Sequence, residues 1–407
     1  MPGPTASGQP LLLLALACGV AVANIYFPQA ISPLIASDLH VSTDSAALVA
    51  TAAQLGYAGG VFLLVPLGDR LANRPLILTL LTLTGLGLLA ASFAPTLAVL
   101  TVASVAVGLT TIVPQIIIPM TVGLVDPRRR GAVTGTLLGG LLGGILLARA
   151  FGGTVGEWLG WRAPYMIAAG LALLLAVLLA FVVPRTTPSS KQSYPALLGA
   201  SVKLFWAERD LRRSGLYQAT LFGGFSAAWT SLSLLISGPT YNLTARTVGL
   251  LALVGAASVF ITPIAGRWID RRGSDPMNLM CIVAAVAAAG ILAFGVIGGV
   301  VGLVVLAFGL LLLDTAVQSG QVANQARIFA LRPDARSRVN TAYMTCSFVG
   351  GTVGSWLGVH AYTALGWLGV SGLVAFAACV ALGRHLLRGP VDSPTAGERP
   401  ALSEAGN

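Results

Sequence analysis

An all-α integral membrane protein, with twelve transmembrane helices in two pseudo-symmetric six-helix bundles, is the fold class this sequence predicts. Three observations lead there. The 407 residues are 56% hydrophobic and only 9% charged, with a mean hydropathy of +0.84, whereas a soluble domain carries about 25% charged residues. The basic residues gather on alternate turns between apolar runs. A short charged turn recurs once per half, with Asp270 lying 201 residues after Asp69, the mark of a duplicated membrane unit.

A helical span needs roughly 20 apolar residues. Such runs cover 11–35, 46–67, 76–93, 97–125, 132–153 and 164–183, then 214–237, 247–266, 278–298, 301–325, 339–362 and 368–387. The polar stretch 184–213 holds Pro184-Arg185-Thr186-Thr187-Pro188 and an amphipathic piece around Leu204-Phe205-Trp206. It reads as a cytoplasmic linker between an N-terminal bundle, 1–183, and a C-terminal bundle, 214–387. The Pro-, Gly- and Ser-rich tail 388–407 reads as disordered and cytoplasmic.

Orientation follows from arginine. Of 24 Lys and Arg residues, only Arg149, Arg162 and Arg246 fall outside the turns and tails of one membrane face. That is the positive-inside pattern, so the net charge of +10 reflects topology and not nucleic-acid binding. Both termini are then cytoplasmic, in a multi-pass protein of a bacterial inner (plasma) membrane, the bacterial origin resting on the scarcity of lysine beside arginine. Residues 1–10 lack Lys and Arg and make a poor signal-peptide start, so the first apolar run reads as the first span. Cys18, Cys281, Cys346 and Cys379 are far apart, and His40, His360 and His385 are scattered. No metal site, disulfide framework or cofactor is expected from them, and no nucleotide-binding loop appears.

The duplicated turns carry a family resemblance. Gly266-Arg267-Trp268-Ile269-Asp270-Arg271-Arg272-Gly273 fits the pattern G-x-x-x-D-R-x-G, and the first copy keeps Asp69, Arg70 and Arg74, with Val65 and Ala72 in place of the glycines. This closely resembles the loop signature of major facilitator superfamily transporters, between their second and third helices. A second repeat, Pro127-Arg128-Arg129-Arg130 against Pro333-Asp334-Ala335-Arg336, runs at an offset of 206 and also maps Gln115 onto Gln321. The resemblance implies that the loops of Asp69, Arg70, Arg74, Gly266, Asp270, Arg271 and Gly273 latch the two halves in the outward-open state without touching substrate. Each Asp there can accept from a helix N-terminus or an arginine.

Asp314 is the first functional candidate. It sits mid-way along the tenth span after four leucines, where a charge costs roughly 2.5–3.5 kcal/mol on insertion scales. At about 100° per residue, Asp314, Gln318, Gln321 and Gln325 share one face, which would line a water-filled cavity, and an acid there suits the carriage of a coupling proton. The alternative is a structural carboxylate held by a hydroxyl or by Arg149. Arg149 itself has two readings: a counter-ion for substrate or acid, or a side chain reaching outer headgroups and pairing Glu157.

By the resemblance, the first, fourth, seventh and tenth helices line the central cavity. Asn24, Tyr26, Gln29, Thr111, Gln115, Trp229, Thr230, Gln318 and Gln321, with Arg149, become substrate-cavity candidates, against the plainer reading of interhelical hydrogen bonds. Gly135, Gly139 and Gly143, and likewise Gly350, Gly354 and Gly358, recur every four residues and predict close helix packing. Drug–proton antiporters of the superfamily usually carry an arginine before the position of Gly108 and a Gly-Pro motif in the fifth helix; here Ser104 and its neighbours are uncharged and 137–147 has no proline. Proton chemistry would therefore fall to Asp314.

Proton-coupled efflux of a small amphipathic compound by alternating access is the leading functional expectation. The partners are a small-molecule substrate, protons and the lipid bilayer, without nucleic acid, and the chain is read as a monomer. Uptake of a sugar or small metabolite, by symport or facilitated diffusion, is the alternative, and a non-transporting sensor is more remote. A membrane enzyme would need nucleophile, base or metal ligands clustered at one depth, which the sequence does not offer.

Overall fold

The computed structural model describes residues 8–126, 129–184, 186–187, 190, 192–255, 257–331 and 335–387, with the side chains of 8–9, 130–132, 259–263 and 270 left out. The tail 388–407, Pro127, Arg128, Pro333, Asp334 and the Asp270 side chain lie outside the described residues. Every described element is helical. The first half comprises α1 (Gly8–Ala23), α2 (Pro28–Leu39), α3 (Thr43–Leu64), α4 (Leu67–Arg70), α5 (Asn73–Ser92), α6 (Leu97–Thr110), α7 (Pro114–Leu124), α8 (Arg130–Leu159) and α9 (Arg162–Val182). An amphipathic helix α10 (Tyr194–Ala207) follows. The second half comprises α11 (Arg209–Ser237), α12 (Ala245–Gly255), α13 (Ser258–Arg272), α14 (Ser274–Ala293), α15 (Gly299–Leu331) and α16 (Arg336–Leu386).

These helices make twelve spans. Proline breaks two of them. Pro28 lacks the N–H that would bond back four residues, so α1 and α2 meet at a 43° bend. Pro114 starts α7 in the same way, after α6 ends at Thr110. α12 and α13 together make the eighth span. The 51 residues of α16 are about twice what a bilayer needs, and Gly366, at φ 64° and ψ −157°, divides them into the eleventh and twelfth spans. The spans therefore run longer and more broken than the apolar runs predict.

Small residues set the helix contacts, but not always the ones expected. A Cβ on Gly350 or Gly354 would lie 2.2 Å from the Ala219 carbonyl oxygen or 2.0 Å from that of Gly223, and Gly358 is likewise tight on Ala227. That stripe packs α16 on α11 as predicted. The stripe Gly135, Gly139 and Gly143 does not: nothing lies within 4 Å of a Cβ at any of the three. Gly140 and Gly144, one position on, face Ala15 and Gly19 of α1 instead, with Gly144 2.2 Å from the Gly19 carbonyl. The helix presents the neighbouring stripe because its rotation is fixed by the contact with α1. Gly144→Val and Gly354→Val should thus destabilise the protein by about 2 kcal/mol or more, while Gly139→Val leaves its melting temperature unchanged. Thermal melting of the three variants in detergent checks this, and equal losses would refute the assignment.

The repeated charged turns differ for a local reason. In the second copy α13 runs unbroken to Arg272 and ends on Gly273, whose φ of 84° suits glycine alone. In the first, Pro66 separates α3 from the short α4, and Ala72 keeps φ −63°, so no glycine is needed there. Arg74 donates to the Ala180 carbonyl at the end of α9, the negative end of that helix dipole. Asp275, its counterpart in the repeat, accepts from Arg213 and Arg327.

Candidate functional site

The break in the first span exposes backbone and side-chain polar groups at mid-depth, and the fourth span partners the Asn24 amide nitrogen and the Ala21 carbonyl. Asn24 donates to the Thr111 hydroxyl at 3.1 Å, and Thr111 donates to the Ala21 carbonyl at 2.6 Å. Asn24 and Thr111 therefore tie the two broken spans together.

Above them, on the side away from the arginine-rich face, the halves are sealed by hydroxyls and amides. Gln29 donates to Thr230 at 3.4 Å, and the Ser32 and Ser233 hydroxyls stand 2.8 Å apart. Both pairs are 201 residues apart, the offset between Asp69 and Asp270, so each residue meets its own repeat counterpart. That is the geometry of a pseudo-two-fold axis running through the seal. Ser355 adds a third strand to it, 2.9 Å from Thr230 and 2.6 Å from Thr51. Gly153 and Gly249 let α8 and α12 touch beside it, at 2.5 Å and 2.9 Å from facing backbone atoms for a notional Cβ.

Arg149 lies inside this seal and is 1% exposed. Its Nε donates to Gln29 Oε1 at 2.8 Å. Its guanidinium sits 4.2 Å from the ring centre of Trp229, 5.0 Å from that of Tyr26 and 5.4 Å from that of Phe225. Stacking on aromatic faces is worth roughly 2 kcal/mol when desolvated. Trp229 in turn donates its indole N–H to Asp314 Oδ1 at 2.9 Å, so Arg149 and Asp314, of opposite charge, both contact the same indole. The relay Gln29–Arg149–Trp229–Asp314 thus joins the two halves. Arg149 neither reaches the outer headgroups nor pairs Glu157, which accepts from the Arg246 backbone N–H at 3.1 Å.

Below the seal is a cavity of about 420 Å3. Its walls extend from Tyr26 and Gln115 to Val65, Phe329 and Arg336 at the arginine-rich ends of the spans, so it opens on that face. Of the expected cavity residues, Tyr26, Gln115, Gln318 and Gln321 line it, together with Gln325. Asp314 does not. It is 2% exposed and packs on Gly255, where a Cβ would come 2.4 Å from Oδ2. The stripe drawn from Asp314 to Gln325 is therefore divided: the glutamines face the cavity and the carboxylate turns into the seal. Asn24, Gln29, Thr111, Arg149, Trp229 and Thr230 also belong to the layer above and not to the cavity wall.

Several lining residues escaped the sequence reading: Tyr57, Gln218, Phe222, Phe225, Asn340 and Phe348. Gln218, Phe222 and Phe225 recur at helical spacing from Trp229, so extending that face down the seventh span is the signal that finds them. Tyr57 and Phe348 meet across the halves with ring centres 4.3 Å apart, a pairing no local pattern contains. The loop residues Asp69, Arg70, Arg74, Gly266, Arg271 and Gly273 lie at the arginine-rich face and are not among the residues lining the cavity.

Known proteins share this architecture. Residues 12–326 match the family described as Major Facilitator Superfamily. The uncharacterised transporter YgaY of Escherichia coli O157:H7 is 35% identical over 360 residues, covering 88% of this chain and 90% of its own. A chloramphenicol resistance protein of Streptomyces lividans is 28% identical over 278 residues, 65% of this chain and 67% of that one. In three dimensions the nucleoside transporter NupG (D323A mutant) superposes with a TM-score of 0.71 at 13% identity, over 92% of this chain and 99% of its own. A duplicated twelve-span bundle with a central cavity, matched along most of its length, belongs to the Major Facilitator Superfamily of secondary transporters, a family of carriers and not of enzymes.

Proposed function

We propose that this transporter exports a small amphipathic compound in exchange for protons, with its arginine-rich face in the cytoplasm. On the positive-inside rule the structure is then inward-open, the cavity facing the cytoplasm and the seal closing the outer side. The halves 1–183 and 214–387 would rock about the cavity, joined by the linker 184–213. The single observation that carries the proton assignment is the buried carboxylate of Asp314, held by Trp229 and attracted by Arg149 of the other half.

A charged Asp314 strengthens both contacts, since hydrogen bonds to ionised groups are roughly twice as strong as neutral ones. Protonation removes that charge and loosens the outer seal. The state of one proton thereby biases which side is open, which is what a coupled gate requires. Export as the direction is supported by the relative named for chloramphenicol resistance. Proteoliposomes carrying an imposed pH gradient and a panel of dyes, lipophilic cations and neutral aromatic compounds test the reading. Release of the gradient on adding a panel member is the expected result; solute equilibration with no proton movement would refute coupling.

One observation favours a second reading. The glutamine-rich wall could hydrogen-bond the hydroxyls of a sugar or small metabolite, as an uptake carrier would. Accumulation of labelled solute in intact cells, in place of depletion, would decide for it.

A further inference from the structure

We infer that the substrate is an uncharged, flat molecule edged with amide-type hydrogen-bond donors and acceptors. The inference rests on the central cavity being the transport site, as in the reading above, and deepens it by naming the class of compound. Three features of the wall carry it.

The first is charge. Among the described lining residues the only ionisable side chain that carries charge at neutral pH is Arg336, at the cytoplasmic mouth. A cation entering the cavity would lose its water, meet no carboxylate and be repelled by that arginine. An anion would find only Arg336, at the rim. Arg149 stands behind the rings of Tyr26, Phe225 and Trp229, Asp314 behind that of Trp229, and neither reaches the cavity wall.

The second is a concentration of amides. Gln115, Gln218, Gln318, Gln321, Gln325 and Asn340 all border the cavity. Gln115, Gln318, Gln321 and Gln325 are part-exposed there, and Gln218 is not. It is fully buried, and neither its carbonyl oxygen nor its amide nitrogen has a hydrogen-bond partner in the protein. Asn340 Oδ1 is also without a protein partner. The part-exposed amides present donors and acceptors to the cavity that a ligand must match with polar groups of its own.

The third is shape. Phe222 and Phe225 are stacked with ring centres 5.4 Å apart and planes 16° apart, and Phe348 meets Phe222 edge-on at 5.2 Å. With Tyr57 against Phe348, these rings make an aromatic flank beside the amides. Flat rings stack well on such a surface, and a volume of about 420 Å3 lies within the roughly 300–1,000 Å3 of clefts that hold drug-sized ligands. Amide edge and aromatic face together select a planar molecule with polar edges and no net charge.

A matched fluorescent set tests this on the full chain in nanodiscs: neutral acridone, cationic N-methylacridinium and anionic acridone-10-acetate. Fluorescence polarisation at equilibrium, without any gradient, reads the affinities. Acridone is expected to bind at least about tenfold more tightly than either ion, a difference of about 1.4 kcal/mol. Gln318→Leu and Gln321→Leu should each weaken acridone binding about fivefold without changing the melting temperature. Equal or tighter binding of either ion, no saturable acridone binding, or full affinity in both folded variants would overturn the inference. The two readings fail separately. Selective acridone binding without proton exchange would sink the coupling assignment and leave this inference standing. Proton-driven export of N-methylacridinium would do the reverse.

Discussion

Asp314→Asn is expected to abolish proton-driven transport, lowering gradient-dependent flux by about 100-fold or more, on the order of 3 kcal/mol. The substitution is nearly isosteric. Asparagine retains a carbonyl oxygen for the Trp229 N–H, now 2.9 Å from Asp314, and fits beside Gly255, but it cannot take up or release a proton. Because Asp314 turns away from the cavity, substrate binding should persist. Exchange of labelled for unlabelled substrate moves no net proton, so it should survive in the same liposomes. The pair of assays separates a coupling residue from a structural one. Unchanged pH-driven flux in the variant would return Asp314 to a structural role, and loss of exchange as well as flux would mean that the site itself had collapsed.

Arg149→Met carries the second large expected effect, on stability. The variant removes the cation that Gln29, Tyr26, Phe225 and Trp229 surround and leaves Asp314 as a buried charge without its counter-charge. Breaking a buried pair in direct contact costs about 3–5 kcal/mol; Arg149 and Asp314 are joined through Trp229, so about 2–3 kcal/mol is expected, and the lost contacts also bridge the two halves. The melting temperature in detergent should fall sharply, and the outer seal should open more often. A Ser32→Cys reporter at the seal, treated from outside with an impermeant maleimide, should react faster in the Arg149→Met background. Combining Arg149→Met with Asp314→Asn should recover much of the lost stability, because the second change removes the stranded carboxylate. If the double variant were as unstable as the single losses added together, attraction between the two charges would not be what holds the seal.

The legibility of this protein in its sequence divides along a physical line. Its fold class could be read directly, because lipid requires long apolar runs with internally satisfied backbones and fixes which turns carry arginine. The duplication was equally open, through Asp69 and Asp270. Single-helix periodicity also found the cavity-facing glutamines Gln318, Gln321 and Gln325, since residues on one face of one helix stay together whatever surrounds it. It could not say where along that face the cavity ends, and so placed Asp314 on the wall.

The tertiary structure alone decided the rest. Two interleaved glycine stripes on α8 look equivalent in sequence, and only the rotation imposed by α1 chose Gly140 and Gly144 over Gly135, Gly139 and Gly143. Arg149 was balanced between headgroups and interior until Trp229, 80 positions further along the chain, closed over it. Gln29 and Thr230, Ser32 and Ser233, and Tyr57 and Phe348 meet because the two halves of the bundle pack about an axis. Sequence records what each helix requires of lipid and of its own backbone. Which polar groups then satisfy one another depends on helix rotation and on the meeting of the halves, and those are fixed only when the whole bundle is assembled.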